Sequence, residues 1–174
     1  IARGSLTALN LDLATLHDAF KRYLPKNNPK LAEILDSAKG DVGLLANISS
    51  DQGKLNIDVS SATIENLSMN EQDLGKISLS ASRNERIWNI RDLTWQKQDQ
   101  KATLHGTVDE IGDMKLDGDI YNVRNQLLTS IVPEMPRLTG SVDLLSFSAS
   151  GPTSNPTIQA SLKASNIGLA NDSV

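Results

Sequence analysis

Five stretches of the chain alternate between polar and apolar residues: KLNIDVS (54–60), KISLSAS (76–82), KATLHGT (101–107), KLDGDIY (115–121, up to its last residue) and TIQASLKAS (157–165). A period of two belongs to strands with one face buried. The alternate positions carry Ser, Asp, Asn, Lys and Thr, so one face of each strand is wet, as in an antiparallel sheet. DVGLLANIS (41–49) and SVDLLSFSAS (141–150) also read as strands, and the second slips phase between Leu144 and Leu145, which predicts a bulge. In RIWNIRDLTW (86–95), Trp88 and Ile90 share one parity and Leu93 and Trp95 the other. Arg91–Asp92 therefore marks a bulge or a break between two short strands.

Helical spacing occurs at three places: Leu13, Leu16, Phe20 and Leu24; Leu31, Ile34, Leu35 and Ala38; Val123, Leu127 and Ile131. The punctuation agrees, with Asn28 and Pro29 as N-cap and first-turn proline, Gly40 after the second segment, Asn122 able to cap the third and Pro133 to stop it. The fold class predicted is mainly β, an antiparallel sheet with about three short helices.

Two regions share one order of elements. YLPKNNPKLAEILDSAKGDVGLL (23–45) parallels IVPEMPRLTGSVDLL (131–145), with Pro25 opposite Pro133, Gly40 opposite Gly140, and Val42, Leu44 and Leu45 opposite Val142, Leu144 and Leu145. Downstream, KLNIDVSSATI (54–64) matches TIQASLKASNI (157–167) in apolar phase. The chain is thus expected to be one β-rich segment of a longer repetitive protein, holding two related units, about 5–67 and 115–169, at a period of roughly 100 residues.

Composition narrows the reading. Apolar residues make 39% of the 174 and aromatics only 3%, so Leu, Ile, Val and Ala must line whatever is buried. A net charge of −4 without long charge runs gives no footprint for nucleic acid. The chain has no cysteine, which excludes disulfides and thiolate metal sites and leaves the compartment open. The opening IARGSLTALN has neither Met nor a signal-peptide pattern, as an excised piece of a longer chain would.

The string LTGSVDLLSFSASGPTSNPTIQASLKASNI (138–167) resembles the recurrent signature of TamB and AsmA-like (DUF490-type) cell-envelope proteins, with Gly151, Pro152, Thr153 and Pro156 in its turn. DGDIYNVRNQLLTSIVPEMP (117–136) is similar to that family's strand ending in a short helix, and SLTALNLDLATLHDAFKRYLP (5–25) to another copy. The first unit departs from the pattern, with SSDQGK (49–54) in place of a proline-containing turn and an insertion over Asn27 to Asp36. The resemblance implies a periplasmic segment of an inner-membrane-anchored protein, with a β-taco-like groove acting in lipid transport between inner and outer membranes. It implies phospholipid or another acyl-chain lipid, adjacent segments of the same chain and an outer-membrane barrel assembly protein as partners.

Physics supplies its own reason for such a groove. An aliphatic sheet face needs a cover, and three short helices offer too few apolar side chains to provide it. A sheet curled along its long axis would instead form an open hydrophobic groove. The residues expected to line it are Val42, Leu44, Leu55, Ile57, Val59, Ile77, Leu79, Ala81, Ala102, Leu104, Leu116, Ile120, Val142, Leu144, Ile158, Ala160 and Leu162. The edges of such a sheet are expected to pair with neighbouring segments.

Catalytic chemistry has no visible machinery. His17 and His105 lie far apart with no carboxylate pair at metal spacing, and there is no Gly-x-Ser-x-Gly elbow or phosphate loop. Asp109, Glu110, Asp113, Asp117 and Asp119 lack the ligand spacing of a calcium loop and read as a solvated turn. Trp88 and Trp95 read as core, with sugar stacking or a place at a groove rim as the other possibility. No enzyme activity, cofactor or metal is expected. Two further functions remain open: a structural partner that templates outer-membrane strands by edge pairing, and a surface adhesin or carbohydrate-binding β module, for which aromatics are few.

Overall fold

The computed structural model describes residues 2–15, 37–69, 71–123 and 138–169. These form one nine-stranded antiparallel sheet in which spatial order equals chain order. The strands are β1 (Ala2–Asp12), β2 (Ala38–Asp51), β3 (Lys54–Met69), β4 (Gln72–Asn84), β5 (Ile87–Lys97), β6 (Gln100–Asp109), β7 (Asp113–Val123), β8 (Leu138–Pro152) and β9 (Thr157–Leu169). Each strand pairs with its sequence neighbours alone, so among the described residues β1 and β9 are open edges and the sheet does not close.

Tight turns make this meander. Gln52 (φ 49°) and Gly53 (φ 80°) connect β2 to β3, and positive φ at both central residues is what a two-residue hairpin of matching twist demands. This is the SSDQGK turn, which has no proline and turns on Gly53. At the other end of the chain, the turn from β8 to β9 closes with Asn155 N–H donating to Pro152 O at 3.0 Å.

Helix is scarcer than expected. Among the described residues it is confined to Leu13–Thr15 and Ser37, about one helix where three were predicted. Asp12 caps its start, accepting at 3.1 Å from both Thr15 N–H and Thr15 Oγ1, and these bonds hold its carboxyl below the usual range. Ala38 and Val123, assigned from spacing to the second and third helices, are instead strand residues paired with Met69 and Val142. Leu16, Phe20, Leu24, Leu31, Ile34, Leu35, Leu127 and Ile131 lie outside the described residues, as do Asn28, Pro29 and Pro133.

Bulges keep long strands in phase. Arg91 is the extra residue of β5, since Ser80 pairs with Asp92 and Ala81 with Ile90. It brings Trp88, Ile90, Leu93 and Trp95 to one face despite their opposite parities. In β3 the register skips between Val59 and Ala62. Arg91 bridges the two irregularities: Nη1 donates to Asp58 Oδ1 at 2.6 Å and Nη2 to Val59 O at 2.8 Å. Buried apolar side chains are few and mostly small. Leu13, Ala38, Val42 and Leu67 cluster where the helical turn meets one end of the sheet, and Val142 packs against Ile120, Leu145 and Ala164.

Candidate functional site

Cross-strand partners in an antiparallel sheet project from the same face, so register alone sorts the side chains. One row runs Ala8, Leu44, Ala62, Leu79, Leu93, Leu104, Gly118, Phe147, Ala160 from β1 to β9. A second runs Leu11, Val42, Ile64, Ile77, Trp95, Ala102, Ile120, Leu145, Leu162. A third runs Leu6, Ala46, Val59, Ala81, Ile90, Gly106, Leu116, Ala149, Ile158. None of the three contains a polar side chain. The opposite face reads Thr63, Ser78, Thr94, Thr103, Asp119, Ser146, Ser161 from β3 to β9.

The lining residues expected from sequence fall on this apolar face, with one exception. Leu144 pairs with Tyr121 and Lys163 on the polar face, while Leu145 pairs with Ile120 and Leu162 on the apolar one. The register shift lies between Val142 and Leu144, so Asp143 is the extra residue and Leu144 is turned off the apolar face. Leu44, matched in sequence with Leu144, is on the apolar face and Leu144 is not. The remaining members, from Val42 and Leu44 in β2 to Ile158, Ala160 and Leu162 in β9, share one surface.

The face is unevenly covered. At the helical end, Leu13 packs over Val42 and Leu67. Toward β9 the surface is open, with Ile158 65% and Leu162 52% exposed. Both tryptophans are half-buried in it, and Trp95 Nε1–H donates to Leu74 O at 2.7 Å, satisfying the indole without leaving the apolar side.

A fourth row, Gly4, Ile48, Ile57, Arg83, Trp88, Val108, Met114, Gly151, lies toward the turns that end β4 and β6 and carries a charge. Arg83 sits between Ile57 and Trp88. Its Nε donates to Glu110 Oε1 at 2.7 Å, Nη2 reaches the same oxygen at 2.6 Å, and Nη1 lies 3.4 Å from Leu55 O. The side chain is only 17% exposed. The backbone of Glu110 is tied to the β4–β5 turn by its N–H, which donates to Arg86 O at 2.9 Å. Of the acidic group noted in the sequence, Glu110 thus has a specific partner, and Asp109 Oδ1 accepts Ile111 N–H at 3.0 Å within the turn.

On the polar face, His105 stands opposite Asp117, beside a shallow cleft also lined by Asp119, Ser146, Ser148, Gln159 and Ser161. Ser146 Oγ donates to Asp119 at 2.6 Å. Asp117 separates His105 from Ser148 in the cross-strand row, which is not the order of a nucleophile, base and orienting acid. His17 lies outside the described residues. Among the described residues no three His, Cys, Asp or Glu side chains group as a metal site, and no helix is long and apolar enough to cross a membrane. No known protein family, curated protein or solved structure matches the chain.

Proposed function

We propose that this chain is a segment of a periplasmic, inner-membrane-anchored bridge-like protein of the TamB and AsmA-like kind, whose sheet curves into a groove that shields acyl chains between the two membranes. The observation that carries the reading is the set of three wholly apolar rows, each crossing nine strands without a polar side chain. Transfer of a methylene from water is worth about 0.8 kcal/mol, so a 16-carbon tail gains roughly 12 kcal/mol from a continuous aliphatic surface. Leu, Ile, Val and Ala offer that surface without fixed hydrogen-bonding groups, which suits a sliding tail better than a specific pocket would.

A photo-reactive amino acid placed at Leu79 or Leu104 should give lipid adducts in cells, while the same probe at Ser78 or Thr103 should give none. Adducts of equal yield at all four positions, or at none, would refute the assignment. A second reading is favoured by the open edges: among the described residues the 13-residue β9 has a strand neighbour on one side only, with Ile158 and Leu162 exposed, as a template for an incoming outer-membrane strand requires. Protein adducts mapping to β9, with no lipid adducts from Leu79, would favour it.

A further inference from the structure

Arg83 is the one charged side chain among the four rows of the apolar face, and its place in β4 is set by the same alternation that puts Ile77, Leu79 and Ala81 there. A cation held 17% exposed between Ile57 and Trp88 needs a counter-ion, and Glu110 supplies it from the turn between β6 and β7. Guanidinium has five N–H donors in a planar fork. Glu110 engages Nε and Nη2 through a single oxygen, and the contact of Nη1 with Leu55 O is long at 3.4 Å, so donor capacity remains. Glu110 is itself 43% exposed and sits on a turn, so its side chain borders water.

We propose that Arg83 is an anion-binding group at the turn end of the apolar face, taking the phosphate of a phospholipid headgroup in place of Glu110. The proposal rests on the acyl-chain reading above. A tail lying on Ala81, Val59 and Ile90 would bring its headgroup to the fourth row, where the strands give way to the turns. There a phosphate meets the planar donor pair that now holds a carboxylate, and bidentate guanidinium–phosphate pairing matches that geometry. Glu110 acts as a resident stand-in that keeps Arg83 paired when no lipid is present.

The test measures capture of photo-reactive dioleoyl phosphatidylglycerol against dioleoylglycerol of matched tails, by wild type, Arg83→Gln and Glu110→Gln. The wild type should prefer the phosphate-bearing lipid several-fold. Arg83→Gln should bring the ratio close to one while still capturing dioleoylglycerol, and Glu110→Gln, which removes the competing carboxylate, should raise the ratio above wild type. Capture of neither lipid by the wild type would overturn the acyl-chain reading and this site with it. Capture indifferent to the headgroup, or a ratio unmoved in both variants, would overturn the anion site alone. Loss of the wild-type preference in millimolar inorganic phosphate, but not in sodium chloride of equal ionic strength, would assign Arg83 to a free anion and overturn the headgroup assignment.

Discussion

Single residues keep the two faces of this sheet distinct. Gly118 lies in the first apolar row, and a Cβ there would stand 2.6 Å from Phe147 Cζ and 2.7 Å from Thr103 O. The ring of Phe147 closes over the glycine, and Thr103 O is backbone that cannot give way. Gly118→Ala should therefore cost about 1–3 kcal/mol, read as a lower urea midpoint at unchanged slope. Arg91 acts from the other face, where its guanidinium satisfies a carbonyl at the β3 irregularity and pairs with Asp58. The hydrogen bond from Arg91 holds the Asp58 carboxyl below its ordinary value of 3.8. A carboxyl depressed on folding contributes its full stabilisation above the unfolded value and loses it as pH falls through the folded one. Wild type should thus melt above Asp58→Asn at neutral pH, and the two curves should converge in acid; a gap that persisted at pH 2 would contradict the pairing.

At the scale of the element, bulges decide which side chains belong to the face. Asp143 shifts β8 so that Val142 and Leu145 project together and Leu144 turns away. Leu145→Ser, which strips a contact from buried Val142, should then cost about 2–3 kcal/mol and the half-buried Leu144→Ser about 1, a difference that thermal melts of the two variants would resolve. Equal costs would mean that the bulge is misplaced. Alternation made most strands legible in advance, because a half-buried strand has only one period available. The slip in RIWNIRDLTW was legible for the same reason, although mixed parity allowed either a bulge or a break between two strands, and the register shows the bulge. The slip in SVDLLSFSAS could be detected but not placed, since two adjacent leucines present the same pattern whichever of them faces the core. No alternation marked β1, where Leu6 and Ala8 have one parity and Leu9 and Leu11 the other, and its register breaks between Ala8 and Leu11. The spacing of Ala38 and Val123 suited helices, yet cross-strand partners claimed both. Arg83 was within reach, two residues beyond Ala81 in an unbroken alternation, but a charge at a strand end is ordinarily a solvated one, and its partner Glu110 is remote in sequence.

At the scale of the whole molecule, the described residues form a single antiparallel layer: no second sheet is packed on the apolar face among them, and β1 and β9 each have one strand neighbour. Such a surface carries little stabilisation unless something apolar occupies it, and a bound tail would act as its missing layer. The most direct measurement is native mass spectrometry of the protein purified from cells, for wild type, Leu79→Asp, Leu104→Asp and the polar-face control Ser78→Asp. An unpaired carboxylate on an aliphatic face costs several kcal/mol against an adjacent tail or is forced to take a proton. Wild type and Ser78→Asp should carry phospholipid, and both leucine variants should fold by circular dichroism and carry much less. Equal lipid in all four proteins, none in any, or leucine variants that simply unfold would show that the apolar face is an ordinary core.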